Sequence, residues 1–202
     1  MLSVPTLWTV FVINFLALGL IWAYVMRCYP SFEAARFWTG SAFAAAAGAA
    51  MAMLRVVFPD SLVPLLCGGT ALLLAICLAA MGIRKFFNQP VSWRETLLIT
   101  GLGAAGLCFF TFGFDSVPGR MTVFTIAQVL PMVRCLKLLL SPHEGRVNPG
   151  ARLAGIVTIL ILVIFASRLL GALTARAADS PICISARRNR SSSWCWCSCR
   201  WR

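Results

Sequence analysis

Acidic side chains are scarce in this chain. Asp and Glu total 6 in 202 residues, against 18 Lys and Arg, and histidine occurs once. Charged residues make up 12% of the whole, where a soluble domain carries roughly 25%. Each shortage excludes something. The six acids are Glu33, Asp60, Glu95, Asp115, Glu144 and Asp179, and none falls near the middle of an apolar run. A carboxylate at that depth is costly and is kept where ions or protons are carried, so the usual coupling group of a carrier is missing. His143, beside Glu144, has neither a nucleophile nor a second ligand near it in sequence. The 9 cysteines form no C-x-x-C pair, and structural zinc sites use two such pairs. We therefore expect no enzyme, no metal and no cofactor.

What is present is apolar length. The chain is 60% hydrophobic with a mean hydropathy of +0.85. We read six spans, at residues 6–26, 37–58, 62–83, 96–114, 121–140 and 153–173. Each is close to the ~20 residues that cross a hydrocarbon core of about 30 Å. Lipid offers nothing to pair with a free backbone N–H or C=O, so the spans must be helices. The expected fold class is all-α, a polytopic transmembrane helix bundle occupying residues 1–173. The first span lacks a basic leader and a small-residue cleavage site, and is read as retained.

Basic residues sort by side. Loops and helix ends after spans one, three and five hold Arg27, Arg36, Arg84, Lys85, Arg94, Arg134, Lys137, Arg146 and Arg152. Those after spans two and four hold only Arg55 and Arg120. The richer set belongs in the cytoplasm, which places the N-terminus outside.

Residues 174–202 break the pattern. This segment is basic and rich in Ser, Cys and Trp, ending Ser193-Trp194-Cys195-Trp196-Cys197-Ser198-Cys199-Arg200-Trp201-Arg202. One set of codons for that ending, read in a shifted frame, encodes Leu-Val-Leu-Val-Phe-Leu-Ser-Met-Ala, a membrane-type stretch. A basic tail would also lie outside and violate the charge rule the spans obey. Both observations lead us to expect a frameshift that removed a seventh span, leaving a disordered tail. The same event accounts for the terminal cysteines, including their C-x-C-x-C spacing, without metal binding. The tail's arginines and tryptophans suit adhesion to anionic lipid; no nucleic-acid site is expected.

Within the spans, polar groups are few: Asn14, Thr100, Gln128 and Thr158. Asn14 and Gln128 are the candidate ligand-binding residues, although an amide at depth more often bonds a neighbouring helix. Pro131, in span five, predicts a kink. Span two carries Gly40, Ala44, Gly48 and Ala52 at steps of four, and span four has Gly101, Gly103, Ala105 and Gly106. Small residues let helix backbones approach closely. The span-two stripe is read first as an internal seam, with a homodimer face as the alternative. Cys28, Cys67, Cys77, Cys108 and Cys135 are expected to be buried and inert.

Three segments carry a resemblance. Phe37-Trp38-Thr39-Gly40-Ser41-Ala42-Phe43 opens span two. Ala80-Met81-Gly82-Ile83-Arg84-Lys85-Phe86-Phe87 leads to Pro90-Val91-Ser92-Trp93-Arg94, and Glu144-Gly145-Arg146-Val147-Asn148-Pro149-Gly150 precedes span six. Over residues 4–173 the chain resembles the N-terminal membrane sensor domain of bacterial diguanylate cyclases, the GGDEF-domain signalling proteins. The resemblance implies a multi-pass protein of the bacterial inner membrane, with an outside N-terminus and a cytoplasmic output behind an odd number of spans. It does not bring the activity: the sole Gly-Gly, Gly68-Gly69, is followed by Thr70 inside span three. The expected function is a sensory input module of c-di-GMP signalling, truncated before its catalytic domain. The alternatives are a small transporter or channel, and a membrane interaction protein. The bilayer is the expected partner.

Overall fold

In a computed structural model of the chain, residues 4–58, 61–113, 116–140 and 149–178 are described. The architecture is an all-α bundle: α1 (Val4–Cys28), α2 (Ala34–Val57), α3 (Val63–Phe86), α4 (Trp93–Cys108), α5 (Val117–Leu140) and α6 (Pro149–Ala178). A π-helical turn, Phe109–Gly113, continues α4. All six helices are long and apolar enough to cross a membrane, within a few residues of the expected spans. The protein is a multi-pass membrane protein.

The bundle is apolar outside and small-residue inside. Leu20, Leu98, Leu102 and Ile156 are all more than half exposed, whereas Ala35, Ala42, Ala49 and Ala75 are buried. A soluble domain hides its large aliphatics. Here lipid covers them, and helix contact comes from close approach and dispersion.

Helix α3 is the hub, packing on α2, α4 and α5; α1 packs on α2, and α6 on α5. The α2–α3 seam is the closest. A Cβ built on Gly48 falls 2.7 Å from Leu72 Cγ and 3.1 Å from the Gly68 carbonyl oxygen, and one on Gly68 falls 3.2 Å from the Gly48 oxygen. Neither position has room for a side chain, so two glycines meet backbone to backbone. Ser41 Oγ donates to the Ala75 carbonyl at 2.8 Å, a polar tie across the same seam. The span-two stripe thus has an internal partner. In span four the small residues divide between directions: Gly103 faces Leu73 and Ala127, and Gly106 faces Val123, but Gly101 meets nothing.

Local signals set the ends. Asn88 has φ 54°, the left-handed conformation that Asn tolerates where glycine usually closes a helix. Its N–H bonds the Lys85 carbonyl at 3.1 Å, and Gln89 N–H bonds the Arg84 carbonyl at 2.9 Å. That pair of bonds stops α3. Four residues on, Ser92 Oγ accepts from the Glu95 N–H at 3.4 Å and starts α4. A tight reversal results, setting Arg84 opposite Glu95.

The cysteine expectation needs correction. Only Cys77 and Cys135 are buried; Cys28, Cys67 and Cys108 are exposed on the bundle surface. A thiol is apolar enough to face lipid, so hydrophobicity alone did not assign it to the core. The expectations for residues 179–202, for His143 and Glu144, for Asp60 and Asp115, and for the segment 144–148 fall outside the described residues.

Candidate functional site

The two ends of the bundle are built differently. At one, where α1 and α3 finish and α2 and α4 begin, aromatic rings and ion pairs converge. Trp38 lies 4.5 Å from Trp22 and 6.1 Å from Phe86, centroid to centroid. Phe32 adds edge contacts to Trp38 and Phe86 at 5.7 and 6.1 Å. The Trp38 indole lies over Gly82, where a side chain would strike it. Phe37 approaches Trp93 at 6.0 Å. Two of the segments that carried the resemblance are therefore packed against each other.

Ion pairs tie the same end. Glu95 Oε2 accepts from Arg84 at 3.0 Å and from Arg134 at 2.7 Å, joining α3, α4 and α5 through one carboxylate. Lys85 Nζ lies 2.6 Å from Glu33 Oε2, linking α3 to the α1–α2 connection. That hydrogen bond and the Lys85 charge hold the Glu33 carboxyl below its ordinary pKa. Beside the clasp lies a polar cleft of about 440 Å³, lined by Arg84, Gln89, Glu95, Arg134 and Lys137. Deeper, Pro131, Thr96, Cys77 and Cys135 border a pocket of about 30 Å³, room for one water.

The other end holds an apolar cavity of about 250 Å³. Five helices wall it: Trp8 from α1, Ala52 from α2, Gly68, Gly69 and Leu72 from α3, Leu107 from α4, and Phe124 from α5. Gly69 helps open it; a Cβ there would sit 3.0 Å from Leu107 Cδ1 and 3.9 Å from Phe124 Cε2. Two charged residues join this lining, Arg55 near the end of α2 and Arg120 near the start of α5. They are the same two arginines that stand apart in the charge count. Counting charge by side could not show that they share one mouth; that depends on which helix ends are neighbours.

The sequence candidates fare unequally. Asn14 is exposed on α1, and Gln128 is buried on α5. The structure does not bring them together, and neither lines the apolar cavity or the clasp cleft. Thr158 bonds within its own helix, to the Ala154 carbonyl at 2.8 Å. Thr100 Oγ1 is buried beside the Cys77 thiol. Arg168, not singled out in the sequence, lies exposed near the end of the last span, where its long stem lets the charge reach the interface.

Comparison with protein-family models, with curated proteins and with solved structures gave no match.

Proposed function

We propose that this chain is a sensory input module of the bacterial inner membrane, with its N-terminus outside and the aromatic–ionic end in the cytoplasm. The observation that carries the reading is the double use of α3 and α5. Each walls the apolar cavity at one end and holds an arginine of the Glu95 clasp at the other. A ligand that spreads the helices around the cavity has a direct mechanical route to the clasp. Packed helices shift between discrete arrangements, and a change at one end is read at the other. The resemblance to the membrane domains of diguanylate cyclases supports the same role, with the clasp on the side where such proteins carry their output.

A transporter wants polar or charged groups at mid-depth. The described acids, Glu33 and Glu95, stand instead before α2 and in the first turn of α4. That placement favours the sensor.

The coupling is tested by filling the cavity and reading the clasp. Gly69→Leu occupies the cavity, and spin labels at Gln89 and Lys137, with the native cysteines replaced, report the separation of the α3–α4 turn from α5 by pulsed EPR. The proposal expects a shifted or broadened distance distribution. An unchanged distribution in a folded variant refutes the sensor reading.

A further inference from the structure

The apolar cavity carries more than a wall for signalling, because its lining is so strongly divided. Two arginines aside, its described lining is aliphatic, aromatic, methionine, proline and glycine, among them Trp8, Leu72, Leu107 and Phe124. Among the described residues the charged ones that line it are both cations, Arg55 from α2 and Arg120 from α5. An uncharged lipid-soluble compound would need neither guanidinium. A polar anion would gain nothing from the apolar depth. The molecule that uses both has an aliphatic body and an anionic head.

We infer that this cavity binds a single-chain anionic amphiphile, a fatty carboxylate or its alkyl-phosphate counterpart. The chain lies between α3 and α5 with its head between Arg55 and Arg120. Size is compatible with one chain: about 250 Å³ suits a segment of a single aliphatic chain. Charge supports the head. A guanidinium offers five N–H donors and keeps its charge at every accessible pH, and its planar fork matches carboxylate and phosphate oxygens. Near the lipid interface such bonds are less screened than in water, and a charge-assisted hydrogen bond exceeds a neutral one. Arg120 already has an interaction in the structure, which the head has to share or displace.

The inference rests on the sensory reading for its purpose and names the ligand class. Binding is measured on the chain alone, so each can fail without the other. A bundle whose clasp responds to Gly69→Leu but which binds no laurate refutes only the ligand class. Laurate binding without clasp movement refutes only the sensor.

The experiment uses the full chain in phosphatidylcholine nanodiscs. Brominated laurate quenches the fluorescence of Trp8 when bound, and a Trp8→Phe variant isolates that signal from the other tryptophans. The expected result is saturable quenching, reversed by excess plain laurate, with brominated dodecanol about tenfold weaker. Arg55→Gln with Arg120→Gln should lower laurate affinity by about tenfold and leave the alcohol unchanged. Arg55→Lys with Arg120→Lys, which keeps the charge, should restore most of it and shows that the fold tolerates change there. Gly69→Leu should remove saturation for both compounds. Three outcomes overturn the inference: quenching that rises linearly without competition, equal affinity for acid and alcohol, or displacement by phosphatidylglycerol as effective as by laurate.

Discussion

Alanine at Gly48 and at Gly101 asks the same chemistry of two helical glycines and should give opposite answers. In a helix, Ala is favoured over Gly by about 1 kcal/mol, because the chain loses less backbone freedom on ordering. Gly101 meets nothing within 4 Å, so Gly101→Ala should keep that gain and stabilise the protein or leave it unchanged. At Gly48 the added methyl lands 2.7 and 3.0 Å from two atoms of Leu72 and 3.1 Å from the Gly68 oxygen. The Leu72 side chain can rotate away; the backbone oxygen of α3 can move only with its helix. Overpacking of that kind costs about 1–3 kcal/mol. Subtracting the propensity gain leaves a net loss of up to about 2 kcal/mol for Gly48→Ala. Gly48→Leu should separate α2 from α3 altogether. The assay is thermal unfolding in one detergent, followed by tryptophan fluorescence, because Trp38 at the far end of α2 packs on Trp22 of α1 and Phe86 of α3. If the Gly48 and Gly101 alanine variants melt together, the seam is not where the structure puts it. The same geometry bears on self-association: loss of a crosslinked dimer in Gly48→Leu would report a broken bundle, not a dimer face.

Three further outcomes test other parts. Glu95→Gln removes the shared carboxylate and leaves Arg84 and Arg134 side by side; with all three groups partly exposed, we expect a loss of about 1 kcal/mol that shrinks with added salt. A loss indifferent to salt would mean that the clasp acts by packing. Glu33 sits below its ordinary pKa because Lys85 bonds it, so its contribution is complete above the usual carboxylate range and fades as pH falls through the lowered value. Acid titration followed by carboxylate infrared bands should show a late-titrating component that is lost in Lys85→Gln; no change in that variant refutes the pairing. Reporter fusions after Leu140 should report cytoplasm and those after Leu173 the outside, and a clean cytoplasmic signal at the second site overturns the orientation.

The spans were legible because membrane helices announce themselves by length and hydropathy, which need no partner. Their sides were not equally so. The step of four from Gly40 through Ala52 correctly marked a packing face, since nothing but close approach rewards small residues there. By contrast, Gly101 to Gly106 resembled one face and proved to look in several directions. Six consecutive residues cover more than a full turn, too many for a stripe. The cysteines failed for a related reason: burial in lipid and burial in protein look alike to a hydropathy scale, and only packing separates Cys77 from Cys67.

Polar groups expose the same limit from the other direction. Asn14 and Gln128 drew notice because they are rare at depth, yet one lies on the surface and the other in the core, and neither borders the apolar cavity. Rarity measures the cost of putting an amide in lipid; it does not say what faces it. Arg55 and Arg120 are the minority in the charge count. In the proposed orientation they lie on the translocated side, where Lys and Arg are disfavoured, so each invites a reason that topology does not supply. The antiparallel order of α2 to α5 puts the end of α2 and the start of α5 at the same face of the bundle, and α3 and α4 leave an apolar hollow between them. Under the proposed ligand, these two arginines become one feature with a chemical use. The double arginine substitution tests that use directly, for if both side chains were only tolerated, exchanging them for glutamine would leave laurate binding as it was.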